Sequence, residues 1–79
     1  MKVYPNPFTN ELTIEQNSEN SQNKKLEIIN QLGQVVYKTD SFADNKTIKI
    51  DLSQLVPGYY IVRLSTNSSV STSRIFKTF

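Results

Sequence analysis

Hydrophobic and polar residues alternate with a period of two along most of the chain. Leu12 and Ile14 are flanked and separated by polar residues, and Tyr60, Val62 and Leu64 recur at the same spacing. Successive side chains of a β-strand point to opposite faces of a sheet, so each run predicts one buried face and one largely polar face. The sequence has no stretch with the 3.6-residue period of a long amphipathic helix.

The alternating runs predict seven short strands separated by turn residues. Their ranges are 2–4, 11–15, 25–30, 34–39, 46–51, 59–66 and 70–77. Short strands at regular spacing are typical of a β-sandwich. We therefore expect an all-β fold, a small seven-stranded Ig-like antiparallel β-sandwich. Its 79 residues suit a single domain, 1–79, with a leading segment (3–8), core strands (11–66) and a terminal strand (70–77).

Two glycines mark the predicted turns. The Gln31-Leu32-Gly33 stretch predicts a tight hairpin, with a bulge, in which glycine adopts a positive φ. After this hairpin, Val35 and Tyr37 are expected to face the core. Pro57-Gly58 predicts a type II turn, because proline fixes φ at its first central position and glycine takes the left-handed one.

A few apolar residues do not follow the alternation. Ile29, Val36 and Ile61 fall on nominally outer faces, so they are either covered by other parts of the fold or belong to a docking surface. Ile75 and Phe76 are adjacent and must point in opposite directions, which leaves the inward parity of the terminal strand open.

Composition excludes several classes of function. The chain has no histidine and no cysteine, so it lacks the usual general base, thiol nucleophiles and thiolate metal ligands. Its net charge is +2 with Lys24-Lys25 as the only basic pair, which predicts no nucleic-acid partner. No signal-peptide core follows Met1, and we expect the chain to be part of a larger protein.

Two ligand-binding alternatives rest on few residues. Asp40, Asp44 and Asn45 carry oxygens suitable for calcium, but they lack the spacing of an EF-hand, and we predict no metal site. Tyr59 should face opposite to Tyr60, so it offers one exposed ring to a carbohydrate. An Ig-like glycan- or matrix-binding accessory module of a secreted enzyme is therefore the alternative interpretation.

The segment from Tyr4 to Phe8 predicts a stiff lead into the first long strand. Pro5 and Pro7 fix φ and bias the preceding residues to extended geometry. Asn6 between them is expected to close an Asx-type turn, with Tyr4 and Phe8 as apolar anchors.

Four segments, taken in order, carry a resemblance to a known family. They are the Pro5-Asn6-Pro7-Phe8 motif before a strand, the strand–Gly33–strand hairpin, the Leu55-x-x-Gly58-x-Tyr60 element and the closing Arg74-Ile75-Phe76-Lys77 strand. Each is weakly specific alone, but together they cover most of the chain. On these motifs the chain resembles the type A C-terminal sorting domain of the Bacteroidetes type IX (Por) secretion system. Thr78-Phe79 extends beyond the family's last basic residue.

The resemblance implies a secretion signal and not an enzyme. Such a domain directs a cargo protein, joined on its N-terminal side, through the outer membrane. A sortase-like cysteine protease then usually removes the domain upstream of Pro5 and attaches the cargo to the cell surface. The implied partners are the type IX translocon, that protease and the cargo, with no cofactor. The implied location is the periplasm in transit, then the outer membrane, cell surface or medium.

The terminal strand holds the candidate residues for recognition by the translocon: Arg74, Ile75, Phe76 and Lys77. If this strand is a sheet edge, its free backbone groups accept strand addition, and Arg74 and Lys77 guide docking onto an acidic surface. The alternative is that these charges only protect the edge against aggregation. Removal of residues 74–79 is expected to abolish export while leaving a folded core. Exposed edges allow a monomer or a strand-swapped dimer.

Overall fold

A computed structural model describes residues 1–15, 24–40, 47–66 and 69–78. Seven strands occur, and no helix is found among these residues. They are β1 (Lys2–Tyr4), β2 (Glu11–Glu15), β3 (Lys25–Ile29), β4 (Val35–Thr39), β5 (Thr47–Asp51), β6 (Gly58–Ser65) and β7 (Val70–Lys77). The predicted strands are confirmed, with ends that differ by a residue at most.

The strands form two antiparallel sheets packed as a small sandwich. One sheet has the order β1-β2-β5 and the other has the order β4-β3-β6-β7. In the lettering of immunoglobulin-type domains these correspond to A-B-E and C′-C-F-G, which confirms the expected fold class. β7 is therefore an edge strand, and only one of its sides pairs with β6.

The core lies between the two sheets and contains the residues that the period-two pattern places inward. Its fully or nearly buried members are Phe8, Leu12, Ile14, Leu26, Ile28, Ile50, Leu52, Tyr60, Val62, Leu64 and Ile75. Val3, Tyr37, Ile48 and Leu55 are partly buried against them. Burial of apolar surface at about 25 cal/mol per Å² is the main stabilising contribution in a domain of this size.

The β3–β4 hairpin contains the predicted bulge, and the bulge changes the direction of one side chain. The register shifts between Ile28 and Ile29, and Val35 lies opposite Ile29. Ile29 belongs to the outer face, so Val35 is 45% exposed. The expectation that Val35 faces the core is therefore wrong, whereas Tyr37 opposite Ile28 faces inward as predicted. An extra residue in one strand reverses the parity on one side of the bulge.

Asn30 closes this hairpin with its side chain. Its Oδ1 accepts hydrogen bonds from the backbone N–H groups of Leu32 and Gln34, at 2.9 and 3.0 Å. Gly33 has a φ of +82°, which confirms the left-handed conformation predicted for this glycine. Since the carbonyl of Asn30 also accepts the N–H of Gly33, the turn is satisfied almost entirely by one residue.

The connection from β5 to β6 differs from a simple type II turn at Pro57-Gly58. The hydrogen-bonded turn lies earlier, where the N–H of Leu55 donates to the carbonyl of Leu52 at 3.1 Å. Gly58 has the predicted positive φ, but its value is +147° and it begins β6. Tyr60 donates its hydroxyl to the carbonyl of Val56 at 2.5 Å, an arrangement that resembles the tyrosine corner of immunoglobulin-type sandwiches.

Candidate recognition site

The four candidate residues of the terminal strand divide between the two faces of β7. Arg74 is exposed and Phe76 is half-buried on the outer face, opposite Ile61 and Tyr59 of β6. Ile75 is 1% exposed and belongs to the core, and Lys77 is 4% exposed on the same inward side. Only Arg74 and Phe76 are therefore presented to a partner by the folded domain.

Arg74, Phe76 and Tyr59 form one exposed group, which we call the aromatic–arginine cluster. The ring centroids of Tyr59 and Phe76 are 4.8 Å apart with a tilt of 58°. The guanidinium of Arg74 lies over the Tyr59 ring, 4.6 Å from its centroid. A cation at this distance is attracted by the negative face of the ring, so the arginine is held in position before any partner arrives.

The charge of Arg74 is not neutralised by a carboxylate in the described part of the chain. The other arginine on this face, Arg63, binds Glu27 with its Nη2 at 2.6 Å and its Nε at 3.0 Å from Oε1. Arg74 has no comparable acid contact among the described residues, and its side chain meets Tyr59 instead. The cluster therefore combines apolar rings with one positive charge that is available to an acidic group.

The outer face next to this cluster carries the apolar residues that departed from the alternation. Ile29 lies directly opposite Ile61, and Ile61 lies opposite Arg74 across β6 and β7. Both isoleucines are partly buried, while Val36 is 37% exposed. Ile29 and Ile61, with Tyr59 and Arg74, line one shallow depression. They thus adjoin the cluster, and Val36 lies beyond it at the β4 edge.

Lys77, which was expected to guide docking, is buried in the folded domain, with 4% of its surface exposed. Its Nζ lies 3.4 Å from the carbonyl oxygen of Thr78, and its backbone forms a parallel bridge with Phe8. The same parity makes Ile75 a core residue, so the expectation that removal of residues 74–79 leaves the core folded does not fit this placement.

The leading segment lies along the free edge of β7, the edge that faces away from β6. Asn6 does not close a local turn between the prolines. Its Oδ1 accepts the N–H of Phe76 at 3.0 Å and its Nδ2 donates to the carbonyl of Arg74 at 3.3 Å. Phe8 is 1% exposed, which confirms that it is an apolar anchor. Tyr4 is 37% exposed and is not buried as an anchor. Pro5 and Pro7 are exposed on either side of Asn6.

The Glu27–Arg63 ion pair stabilises the outer face beside the cluster. Glu27 is only 8% exposed, and the hydrogen bonds from Arg63 lower the pKa of its carboxyl group, with burial opposing this effect. Lys25 adds a weaker attraction from 4.0 Å. A lowered pKa in the folded state stabilises the protein above the unfolded pKa, and this stabilisation is lost as the pH falls through the folded value.

Replacing Arg63 with methionine is expected to destabilise the domain near neutral pH, because Glu27 then remains buried and charged without its partner. Urea unfolding across a pH series measures the effect. The difference between the native and R63M proteins should shrink as the pH falls below the ordinary glutamate pKa of 4.5. The matched control is Lys25→Met, which removes an exposed cation and should change little. A pH-independent difference would contradict the assignment.

The geometry gives little support to the alternative carbohydrate site at Tyr59 or to the candidate calcium site. Arg74 covers one face of Tyr59, which is 47% exposed, so that face of the ring is not open to a sugar. Asp44 and Asn45 of the candidate calcium site lie outside the described residues. Among those that are described, no three His, Cys, Asp or Glu side chains are grouped as metal ligands.

Sequence reasoning identified Tyr59 as an exposed ring but missed its association with Arg74 and Phe76. The signal was the register of the β6–β7 pair: Tyr59 lies opposite Phe76, with Ile61 opposite Arg74. Cross-strand neighbours on one face touch directly. A hairpin alignment through the Asn67-Ser68-Ser69 loop predicts this pairing once the loop length is fixed.

The outer face of β6 and β7 thus presents the cation of Arg74 beside the rings of Tyr59 and Phe76. The sequence profile of the secretion-system C-terminal sorting domain matches residues 2–78. The chain belongs to this family of type IX sorting domains. A comparison with curated proteins gave no match.

Membership of the family defines the broad function. The domain is a C-terminal sorting signal for type IX secretion, and its family is not a family of enzymes. It implies interaction with the type IX machinery, attachment to a cargo on the N-terminal side, and export across the outer membrane to the surface or beyond. Within the described residues there is no helix with the length and apolar character needed to cross a membrane.

Proposed function

We propose that residues 1–79 act as a single sorting domain. The type IX machinery recognises this domain through the aromatic–arginine cluster on the outer face of β6 and β7. The observation that carries the proposal is that Arg74 lies against Tyr59 without a carboxylate partner in the described chain. Of the four candidate recognition residues, Arg74 and Phe76 contact the partner. Ile75 and Lys77 are buried on the core-facing side of β7 and hold the strand in place.

The cluster suits a partner surface with an acidic group next to apolar side chains. A carboxylate reaching Arg74 gains a charge-assisted hydrogen bond, while the rings of Tyr59 and Phe76 supply apolar area with few rotatable bonds to restrict. Opposite charge also increases the rate of encounter. The stacked position of Arg74 limits the side-chain freedom that is lost on binding.

The steps around recognition follow from the family resemblance. The cargo passes through the periplasm before the domain docks at the outer membrane. A sortase-like cysteine protease then cuts upstream of the Pro5-Asn6-Pro7 motif and joins the cargo to the cell surface through anionic lipopolysaccharide. In this sequence of events the domain contributes an address and a folded boundary, and the protease contributes the chemistry.

A fusion assay tests recognition. Residues 1–79 are placed after a reporter with an export signal, in a Bacteroidetes host with and without a working type IX translocon. We expect the reporter at the cell surface or in the medium only when the translocon works. Removal of the domain should lower the apparent mass of the reporter on a gel. Reporter that remains in the periplasm of both strains would contradict the sorting role in this host.

Charge reversal at Arg74 is expected to reduce export on the order of tenfold or more, because it turns an attraction into a repulsion. Phe76→Ser tests the apolar part of the cluster. The matched control is Lys49→Glu, the same change of sign on an exposed residue of β5 in the opposite sheet. Circular dichroism verifies that the variants fold. Equal export of R74E and K49E would contradict the proposed site.

A further inference from the structure

The edge of β7 that faces away from β6 is only half covered. β6 pairs with the other edge along the whole strand, from Gly58↔Lys77 to Ser65↔Val70. On the edge away from β6, Nδ2 of Asn6 donates to the carbonyl of Arg74, and Oδ1 of Asn6 accepts the N–H of Phe76. Backbone groups of alternate residues point the same way, so those of Val70 and Thr72 also face outward. In the described structure neither residue has a partner on that side.

The cover ends in two further backbone bonds and a pair of threonines. The N–H of Phe8 donates to the carbonyl of Phe76 at 3.0 Å, and the N–H of Thr78 donates to the carbonyl of Phe8 at 2.8 Å. The hydroxyl oxygens of Thr9 and Thr78 are 3.1 Å apart. The leading segment therefore occupies the edge from Arg74 to Thr78 and leaves the first half of β7 open.

The leading segment is poorly suited to be a permanent strand. Pro5 and Pro7 carry no N–H group, so the segment cannot donate a continuous ladder of backbone hydrogen bonds. The side-chain amide of Asn6 supplies one donor and one acceptor where a regular strand would supply its peptide groups. The backbone pairing that remains is a single parallel bridge, Phe8↔Lys77. A regular extended chain makes more hydrogen bonds with the same edge.

The open half of β7 also lacks the usual protection of an edge. Residues 70–73 read Val-Ser-Thr-Ser, without a charge or a proline. Natural sheets guard exposed edges with lysine, proline, bulges or a covering segment, because an unguarded edge pairs with other strands. Here the prolines lie on the covering segment and not on the strand itself.

We propose that the leading segment is a displaceable cover, and that an extended strand of a partner protein adds to β7 from Val70 onward and replaces it. Displacement breaks the hydrogen bonds of Asn6 and of the Phe8 backbone with the end of β7, and so releases residues 5–9 from this edge, while β1 stays paired with β2. Binding at the terminal strand is thus coupled, through one set of hydrogen bonds, to the release of the segment that links β1 to β2. The identity of the partner as the type IX machinery rests on the proposed function, whereas the cover itself does not.

Amide hydrogen exchange measures the cover directly. Asn6→Ala removes the acceptor for the N–H of Phe76, and we expect that amide to exchange about tenfold faster, with β3–β6 amides unchanged. Asn10→Ala is the matched control, since the described residues show no contact of the Asn10 side chain with β7. Unchanged protection of Phe76 in N6A would overturn the proposal, because Asn6 would then not hold the edge.

A disulfide staple tests whether the cover must open. The chain has no cysteine, so Thr9→Cys with Thr78→Cys places two sulfurs where hydroxyl oxygens now lie 3.1 Å apart. An S–S bond of about 2.05 Å then forms after an approach of roughly 1 Å. The oxidised double variant should unfold at the same or a higher temperature than the reduced form. In the fusion assay we expect the oxidised double variant to give about tenfold less exported or processed reporter than the native domain. Both single variants should behave as the native protein.

The outcomes separate the two proposals. Normal export and processing of the stapled protein, with R74E still impaired, would overturn the displaceable cover and leave the recognition site standing. Loss of function in the stapled protein alone, with R74E exporting normally, would support the cover and contradict the recognition site. Equal loss in the single cysteine variants would overturn the cover, because the effect would then not depend on the bond.

Discussion

Truncation of the chain before Arg74 is expected to unfold the domain and not only to remove a recognition element. Ile75 is 1% exposed in the core, and its strand supplies the β6 pairings from Gly58 to Ile61. The same residues hold Phe8 through the carbonyl of Phe76. Replacing a buried isoleucine with alanine alone destabilises a protein by about 2–5 kcal/mol. A domain of this size has a total stability of about 4–12 kcal/mol at 0.05–0.15 kcal/mol per residue.

Nuclear magnetic resonance and urea unfolding measure this result. The truncated chain should lose the dispersion of its amide signals and its cooperative transition. Ile75→Ala should keep the transition at a lower urea midpoint, and Thr72→Ala on the exposed half of β7 should leave it unchanged within about 0.5 kcal/mol. A truncated chain that still unfolds cooperatively would show that β7 is dispensable for the core, contrary to its placement.

Phe8→Ala is expected to cost about 3–5 kcal/mol, the range found for removal of a buried aromatic side chain. Phe8 is among the largest fully buried side chains and belongs to the core between the sheets. It is also the point at which the leading segment is tied to β7, through its backbone N–H and carbonyl. Loss of the ring leaves a cavity and removes the apolar anchor of that segment.

Denaturant unfolding of three variants distinguishes this role from a general effect of losing an aromatic ring. Tyr4→Ala removes a ring from the other end of the leading segment, where the side chain is 37% exposed and its hydroxyl bonds Glu15. We expect a much smaller change there. Phe8→Leu should recover most of the loss, because it refills the core without the ring. Similar destabilisation by F8A and Y4A would contradict the anchor.

The architecture was predictable because it depends on local pattern. Leu12, Ile14, Val62 and Leu64 alternate with more polar neighbours, and one buried face per strand leaves little freedom in register. Gly33 at φ +82° was predictable for the same reason, since a tight hairpin requires a residue that tolerates positive φ. These inferences need only neighbouring residues.

The details of the site depend on contacts between distant parts of the chain, and there the prediction failed. Asn6 was expected to bond locally, but its partners on β7 are 68 and 70 positions away. The inward parity of β7 was left open, and the structure places Lys77 on the core-facing side, with its backbone bridged to Phe8. Val35 was misplaced by a single bulged residue. Neither a side-chain amide that replaces a peptide group nor a bulge leaves a periodic signal.

The contact between Asn6 and Phe76 also determines when the fold can be completed. A chain is made and threaded through a membrane from its amino end, so residues 6–8 emerge long before the strand that holds them. Contacts between residues so far apart in sequence form late and slowly, because the intervening loop must first be closed. Residues 6–8 therefore stay without these partners until the last strand has arrived. A chain cut before β7 would lack this closure, so the closed edge reports that β7 is present and paired.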